Sequence, residues 1–363
     1  MVRPARSLFA NCASFRARLE RRCGFGARAL LYSAAMARRS WLADAACVAG
    51  LCLPLACSNG SLPKSSEEPR LKIGLDLWAG YYPALLAEQL GYFRDEGVRV
   101  DLSIPEDTDE LLVEFAAGTL DGVAAAAGDA INVIEANPDV RIVLFSDVSD
   151  GADMVLALPP IARPEDLRGR AVGTNLGGFG ELLVRRMLDD HGVPAAAVKV
   201  LNVDAARAVD HLVSGELAAV HTWEPYASRA RAAGARVLYT SHDADGLVLN
   251  GFMFAGATLR AHPAAVCGFV RAWFRAEEHW QAHRDSDDEL LRTRLGTNQP
   301  IVHEGIHWLA PAEERSAFEA GPTNRSARHV LQQFVEFFVE RGTLSAAPNL
   351  DQLLDPSFLP EGK

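Results

Sequence analysis

Cysteine is nearly absent from most of this chain. Five of the six (Cys12, Cys23, Cys47, Cys52 and Cys57) precede residue 58, and only Cys267 follows. One thiol cannot bridge to itself, so residues 58–363 hold no disulfide framework of their own and no multi-cysteine metal site. Positive charge is also scarce: 36 Lys plus Arg stand against 47 Asp plus Glu, a net −11 over 363 residues. Nine of those basic residues and only two acids, Glu20 and Asp44, lie in the first 56, leaving 27 against 45, or −18, for the remainder. That balance excludes nucleic acid as a partner, because a phosphate backbone needs a basic face. No 20–50-residue repeat is present, which excludes solenoids and propellers. There is no Gly-x-Ser-x-Gly elbow and no Gly-Lys-Ser/Thr phosphate loop. The glycine-rich stretch 173–180 has Leu183 where a dinucleotide fingerprint needs its third glycine.

What remains is an ordinary folding composition, 49% hydrophobic and 23% charged, with enough chain for about two domains. From Met36 the sequence has a short Arg38-Arg39 start, about a dozen apolar residues and a small residue before a cysteine. That pattern is a secretory signal, too short for a ~20-residue membrane span. Leu53-Pro54-Leu55-Ala56-Cys57 is similar to a bacterial lipoprotein box, which makes Cys57 the expected lipidation site. Residues 1–35 have no place in such a signal, which points to Met36 as the start. Residues 58–70, rich in Ser, Glu and Pro, are expected to be a flexible tether. The mature protein is expected in the periplasm or cell envelope, held to the membrane by its lipid.

From residue 71 short apolar runs alternate with amphipathic stretches. Expected strands are 71–77, 98–103, 122–126, 141–145, 154–158, 171–173, 198–202, 218–221, 236–240 and 249–256. Helices are expected over 83–90, 108–117, 129–136, 180–191, 205–214 and 225–233, an α/β pattern around mostly parallel sheets. From 261 to 342 the pattern is helical, with Phe269, Trp273, Phe274, Trp280, Val330, Phe334, Phe337 and Phe338 as core-facing stripes. The layout suggests two lobes. The first takes 71–150 and 249–345 and the second 151–248, with 346–363 as a C-terminal tail. The joints at 146–151 and 243–250, rich in Asp, Gly and Ser, would form a hinge over a cleft.

The opening Ile73-Gly74-Leu75-Asp76-Leu77-Trp78-Ala79-Gly80-Tyr81-Tyr82-Pro83, followed by Gly91-Tyr92-Phe93 and Gly97-Val98, resembles one known family. So do Glu114-Phe115-Ala116-Ala117-Gly118, Pro164-Glu165-Asp166-Leu167-Arg168-Gly169 and Thr222-Trp223-Glu224-Pro225. These segments are similar to the solute-binding proteins of bacterial importers for nitrate, sulfonates, taurine and thiamine-pyrimidine precursors. The resemblance implies a two-lobe periplasmic-binding-protein fold of type II. It also implies a small-molecule ligand, a membrane permease and an ATPase as partners, a monomer, no cofactor and no enzymatic step.

In α/β lobes polar contacts come from strand ends and helix starts, where unpaired N–H groups face the cleft. The expected ligand-binding residues are therefore Trp78, Gly80, Tyr81, Tyr82, Gly128, Asp129, Thr174, Asn175, Gly178, Trp223, Glu224 and Asn250. Asp129 could equally cap its helix, Glu224 could bond nearby backbone, and Asn250 could serve the hinge. These loops contain Asp76, Asp129 and Glu224 but neither Arg nor Lys. Aromatics with carboxylates suit an amino-bearing heteroaromatic or cationic ligand of the thiamine-pyrimidine-precursor type ahead of a sulfonate.

Two alternatives compete. His303-Glu304-Gly305-Ile306-His307 matches the zinc-protease pattern, in which two imidazoles share a helix face, with His279, His283 or Glu313 as a third ligand. An exported metal-dependent hydrolase would follow. A periplasmic sensor that binds ligand and transports nothing would share every other feature.

Overall fold

The computed structural model describes residues 68–105, 108–134, 137–344 and 346–361. The signal segment, Cys57 and most of the tether lie outside them. Among the described residues no helix is long and apolar enough to cross a membrane.

Among the described residues eleven strands form two sheets. The first joins β1 (Arg70–Gly74), β2 (Arg99–Ser103), β3 (Gly122–Ala126), β4 (Val140–Ser149), β10 (Leu249–Ala255) and β11 (Ile306–Trp308) in the order β11-β4-β10-β3-β1-β2. The second joins β5 (Met154–Ala157), β6 (Ala171–Thr174), β7 (Lys199–Asn202), β8 (Ala219–Thr222) and β9 (Arg236–Thr240) in the order β7-β6-β8-β5-β9. The two-lobe α/β fold is the expected one. The strand directions differ from expectation, because both sheets are mixed. β1 runs parallel to β2 and β3, whereas β10 runs antiparallel to β3 and β4. The second sheet repeats the arrangement, with β6 parallel to β7 and β8 and with β5 antiparallel to β8 and β9. The reason is connectivity. A strand that enters a sheet directly from the other lobe has no crossover helix to reverse it, and so it inserts antiparallel.

The chain crosses between sheets after β4 and again before β10. Hydroxyls tie the two crossings together: Ser149 Oγ and Ser241 Oγ lie 2.7 Å apart. Ser241 Oγ also accepts from the Gly151 N–H at 2.8 Å, and Ser149 Oγ from the Asp153 N–H at 3.1 Å.

Helix α1 (Tyr82–Gln89) follows the β1 loop, starting at Tyr82-Pro83 where a missing N–H costs nothing. Its apolar face packs with α4 (Pro263–Ala282) around Phe252, Phe269 and Trp273, each fully buried. In the second lobe α2 (Phe179–Asp190) and α3 (Ala205–Val213) flank the sheet. The C-terminal helices α5 (Arg284–Leu295), α6 (Pro311–Phe318) and α7 (Ala327–Glu340) complete the first lobe. Phe334 and Phe338 on α7 are buried, as the aromatic spacing implies. Residues 350–359 are also packed: Leu350, Leu353, Phe358 and Leu359 are buried, and Leu354 bridges to Ile142 of β4.

One stretch departs from the helical reading. Residues 303–305 form a turn that leads into β11, which pairs antiparallel with β4, Ile306 opposite Ser149 and Trp308 opposite Asp147. Gly305 turns with φ +77°, which a helix forbids and which glycine supplies without strain. His303 and His307 therefore share no helix face. His303 is held by Arg284 at 2.6 Å and Asp288 at 3.0 Å, whereas His307 meets Glu313 at 3.3 Å. The zinc-hydrolase alternative fails on this geometry, because its two imidazoles do not converge.

Candidate functional site

β1 ends at Gly74, and the following loop carries Asp76 and Trp78 to the edge facing the second lobe. The Trp78 indole N–H donates to both oxygens of Asp147, at 3.1 and 3.2 Å. Gly80 permits this approach, since a Cβ there would overlap the Asp147 carboxylate and the Trp78 nitrogen. Tyr81, 1% exposed, donates its hydroxyl to Asn250 Oδ1 at 3.3 Å and packs edge-on to Phe252. Asn250 in turn donates to Asp147 Oδ1 at 2.9 Å. Tyr82 is buried beside Asp76, and burial together with that charge raises its pKa.

Asp129 follows β3 at the start of the short helix Ala130–Val133 but makes no side-chain capping bond there. Its Oδ1 lies 3.1 Å from where a Gly178 Cβ would stand, so the loops of the two lobes touch at this point. Neighbouring Asn132 donates to the Gly177 carbonyl across the same gap. Gly128 serves packing, because a Cβ there would overlap the Phe334 ring.

From the second lobe, Thr174 ends β6 and is fully buried, its hydroxyl 3.3 Å from His221 Nδ1. Asn175 is half-buried on the loop, and Gly178 opens α2 with extended backbone. Trp223 donates its indole N–H to the Leu77 carbonyl of the first lobe at 3.2 Å, clasping the β1 loop. Glu224 is turned elsewhere. It accepts from the Ser228 N–H at 3.0 Å and pairs with Arg231 at 2.9 Å, so its carboxylate serves its own helix and not the cleft.

Several site residues carried no local sequence signal. Asp147 and Ser146 sit inside β4, in a stretch expected to be a joint. His221 lies 3.3 Å from Asp153 Oδ1, both nearly fully buried, and the ring meets Phe179 and Trp223. Phe179, the first residue of α2, stacks obliquely on Trp223 with ring centres 5.8 Å apart.

The electrostatics are one-sided. Asp76 Oδ1 is buried without a hydrogen-bond partner among the described residues. Burial, reinforced by Asp129, Asp153, Asp147 and Asp204, pushes its carboxyl well above the ordinary range. Burial likewise raises Asp147 to about 6, although hydrogen bonds from Ser146, Asn250 and Trp78 pull against it. Among the described residues no Lys or Arg forms an ion pair with Asp76, Asp147 or Asp153. The arrangement gathers acceptors and aromatic rings without a paired cation, a chemistry that suits an amino group or cation better than an anion.

A sequence profile for the family described as NMT1/THI5 like matches residues 78–286. No curated protein sequence matches the chain. Among solved structures, the alkanesulfonate-binding protein SsuA from Xanthomonas axonopodis pv. citri, bound to MOPS, is similar. It is 16% identical, with 80% of this chain and 99% of that one covered, at a TM-score of 0.64. The periplasmic nitrate-binding protein NrtA from Synechocystis PCC 6803 is 13% identical, covers 80% and 87%, and also scores 0.64. The desulfurization enzyme DSZB is 16% identical, covers 80% and 97%, and scores 0.58. At these identities the likeness is one of fold.

Proposed function

Because the chain belongs to the NMT1/THI5-like family, we propose that it is the substrate-binding component of an ABC-type importer. It captures an amino-bearing heteroaromatic cation of the thiamine-pyrimidine-precursor type between its lobes. The observation that carries the ligand class is Asp76, a half-buried residue whose Oδ1 is buried and without a partner among the described residues, set among further carboxylates and aromatic rings. A protonated amine or amidine gives that oxygen its missing donor and offsets the mutual repulsion of the acids. A sulfonate would add to the repulsion.

The ligand works by population shift. Trp78, Tyr81 and Asp76 contact it from the first lobe, and the loop of Thr174, Asn175 and Gly178 together with Trp223 contacts it from the second. Closure is therefore favoured only when both faces are engaged. The closed form is delivered to a permease and ATPase. The protein acts as an exported monomer, lipid-anchored through Cys57, with no covalent step. DSZB shows that this architecture also hosts an enzyme, so the fold does not decide the point.

Native mass spectrometry of the protein isolated from the periplasm tests this reading. A co-purified small molecule with a basic nitrogen is expected, and a co-purified sulfonate or nitrate would overturn the ligand class.

A further inference from the structure

Asp147 lies on β4, two residues before the end of that strand and the first crossing between the sheets. Its carboxylate is fully buried. Three side chains from three segments donate to it: Trp78 Nε1 to both oxygens, Ser146 Oγ to Oδ2 at 2.7 Å, and Asn250 Nδ2 to Oδ1 at 2.9 Å. Asn250 sits at the other crossing and passes the connection on by accepting from the Tyr81 hydroxyl. The indole has a single N–H, so the direction of that bond fixes the plane of the Trp78 ring. Charge-assisted bonds from fixed donors hold one geometry more strictly than neutral ones do.

We propose that Asp147 is a positioning residue: it sets the orientation of Trp78 directly, and of Tyr81 through Asn250, and so joins the aromatic wall of the cleft to both crossings. It acts through its neighbours, since its oxygens are already occupied by protein donors. The groups around it are Asp76 and Tyr81 after β1, Asp129 after β3, and Asp153 at the head of β5. Trp308 of β11 lies opposite it in the ladder, with His307 and its partner Glu313 one step away. Glu314 of α6 bonds the Phe145 N–H of the same strand at 2.7 Å.

The test reads the indole itself, with full-length protein labelled with 15N at tryptophan and the Trp78 side-chain N–H resonance assigned by its loss in W78F. In the wild type that resonance is expected to follow one titration with a midpoint near pH 6. In D147N an amide donor replaces one acceptor, so the resonance is expected to be displaced and to lose the step near pH 6. S146A keeps the carboxylate but removes a bond that favours its charged form, so the midpoint is expected to move upward. That variant decides the matter if D147N does not fold. A Trp78 resonance without a step near pH 6 in the wild type, the same step surviving in D147N, or a midpoint in S146A that fails to rise would each overturn the proposal. The role of the Trp78 ring in binding rests on the proposed function, but the measurement needs no ligand, so the two can fail separately.

Discussion

Glu314 illustrates what burial does to a carboxyl that has one hydrogen bond and no cation in contact. Its Oε1 accepts from the Phe145 N–H, its Oε2 is buried without a partner, and burial lifts its pKa well above the ordinary value. The folded state therefore holds this proton more tightly than the unfolded chain. Its stabilising contribution is complete below the unfolded pKa and is lost as pH rises through the folded one. Glu314→Gln keeps the acceptor oxygen and removes the charge. Urea denaturation is expected to show the variant more stable than wild type at pH 8 and close to it at pH 4, below the unfolded pKa. Equal stability at both values would contradict the assignment. The same scale shows what the sequence could reveal. The places of Trp78, Tyr81, Asp129, Thr174 and Trp223 at or just beyond strand ends were legible because each follows an apolar run with glycine or proline within two residues. Asp147 was not, because it lies in a stretch rich in Ser and Asp that reads as a joint, and His221 was not, because a lone imidazole in a short strand carries no spacing signal. The partner of His221, Asp153, is 68 residues away, and only pairing of β5 with β8 brings the two together.

At the scale of elements, the ten strands expected from alternating runs are all present, and β11 is the one that was missed. Its sequence, Ile306-His307-Trp308, sits among residues with helical spacing. It becomes a strand because β4 runs for ten residues and offers it an open edge. Gly305 directs this turn. A Cβ there would lie 2.5 Å from the Ala152 nitrogen and 2.7 Å from the Gly151 carbonyl carbon, both in the first crossing. Its carbonyl also accepts from the Asp150 N–H at 2.7 Å. Gly305→Ala combines positive-φ strain with a backbone clash, and chemical denaturation is expected to show a loss of about 2 kcal/mol or more. A loss under ~0.5 kcal/mol would mean that this turn yields freely and does not brace the crossing.

For the whole molecule, the lobes meet through more than the cleft. Trp223 reaches the Leu77 carbonyl, Asn132 reaches the Gly177 carbonyl, and on the flank Arg341, just past the end of α7, pairs with Glu181 of α2. The same Glu181 accepts from the Gly177 N–H at 2.9 Å, so the loop expected to contact ligand is braced by the first lobe's last long helix. None of these long-range pairs has a signature in sequence, whereas the order of strands and helices that places them does. The net −18 of the chain beyond residue 56 takes on a local meaning here, since part of the acidic excess is concentrated between the lobes. In the proposed function these acidic, aromatic loops between the lobes recognise an amino-bearing cation through Asp76. Titration calorimetry at pH 7.5 of wild type and Asp76→Asn, against an aminopyrimidine of the thiamine-precursor type and against a short alkanesulfonate, tests it most directly. Wild type is expected to bind the aminopyrimidine tightly, Asp76→Asn to lose at least tenfold, about 1.4 kcal/mol, and the sulfonate to give no heat. Tight sulfonate binding with none of the aminopyrimidine, or an Asp76→Asn variant that binds the aminopyrimidine as well as wild type, would contradict it.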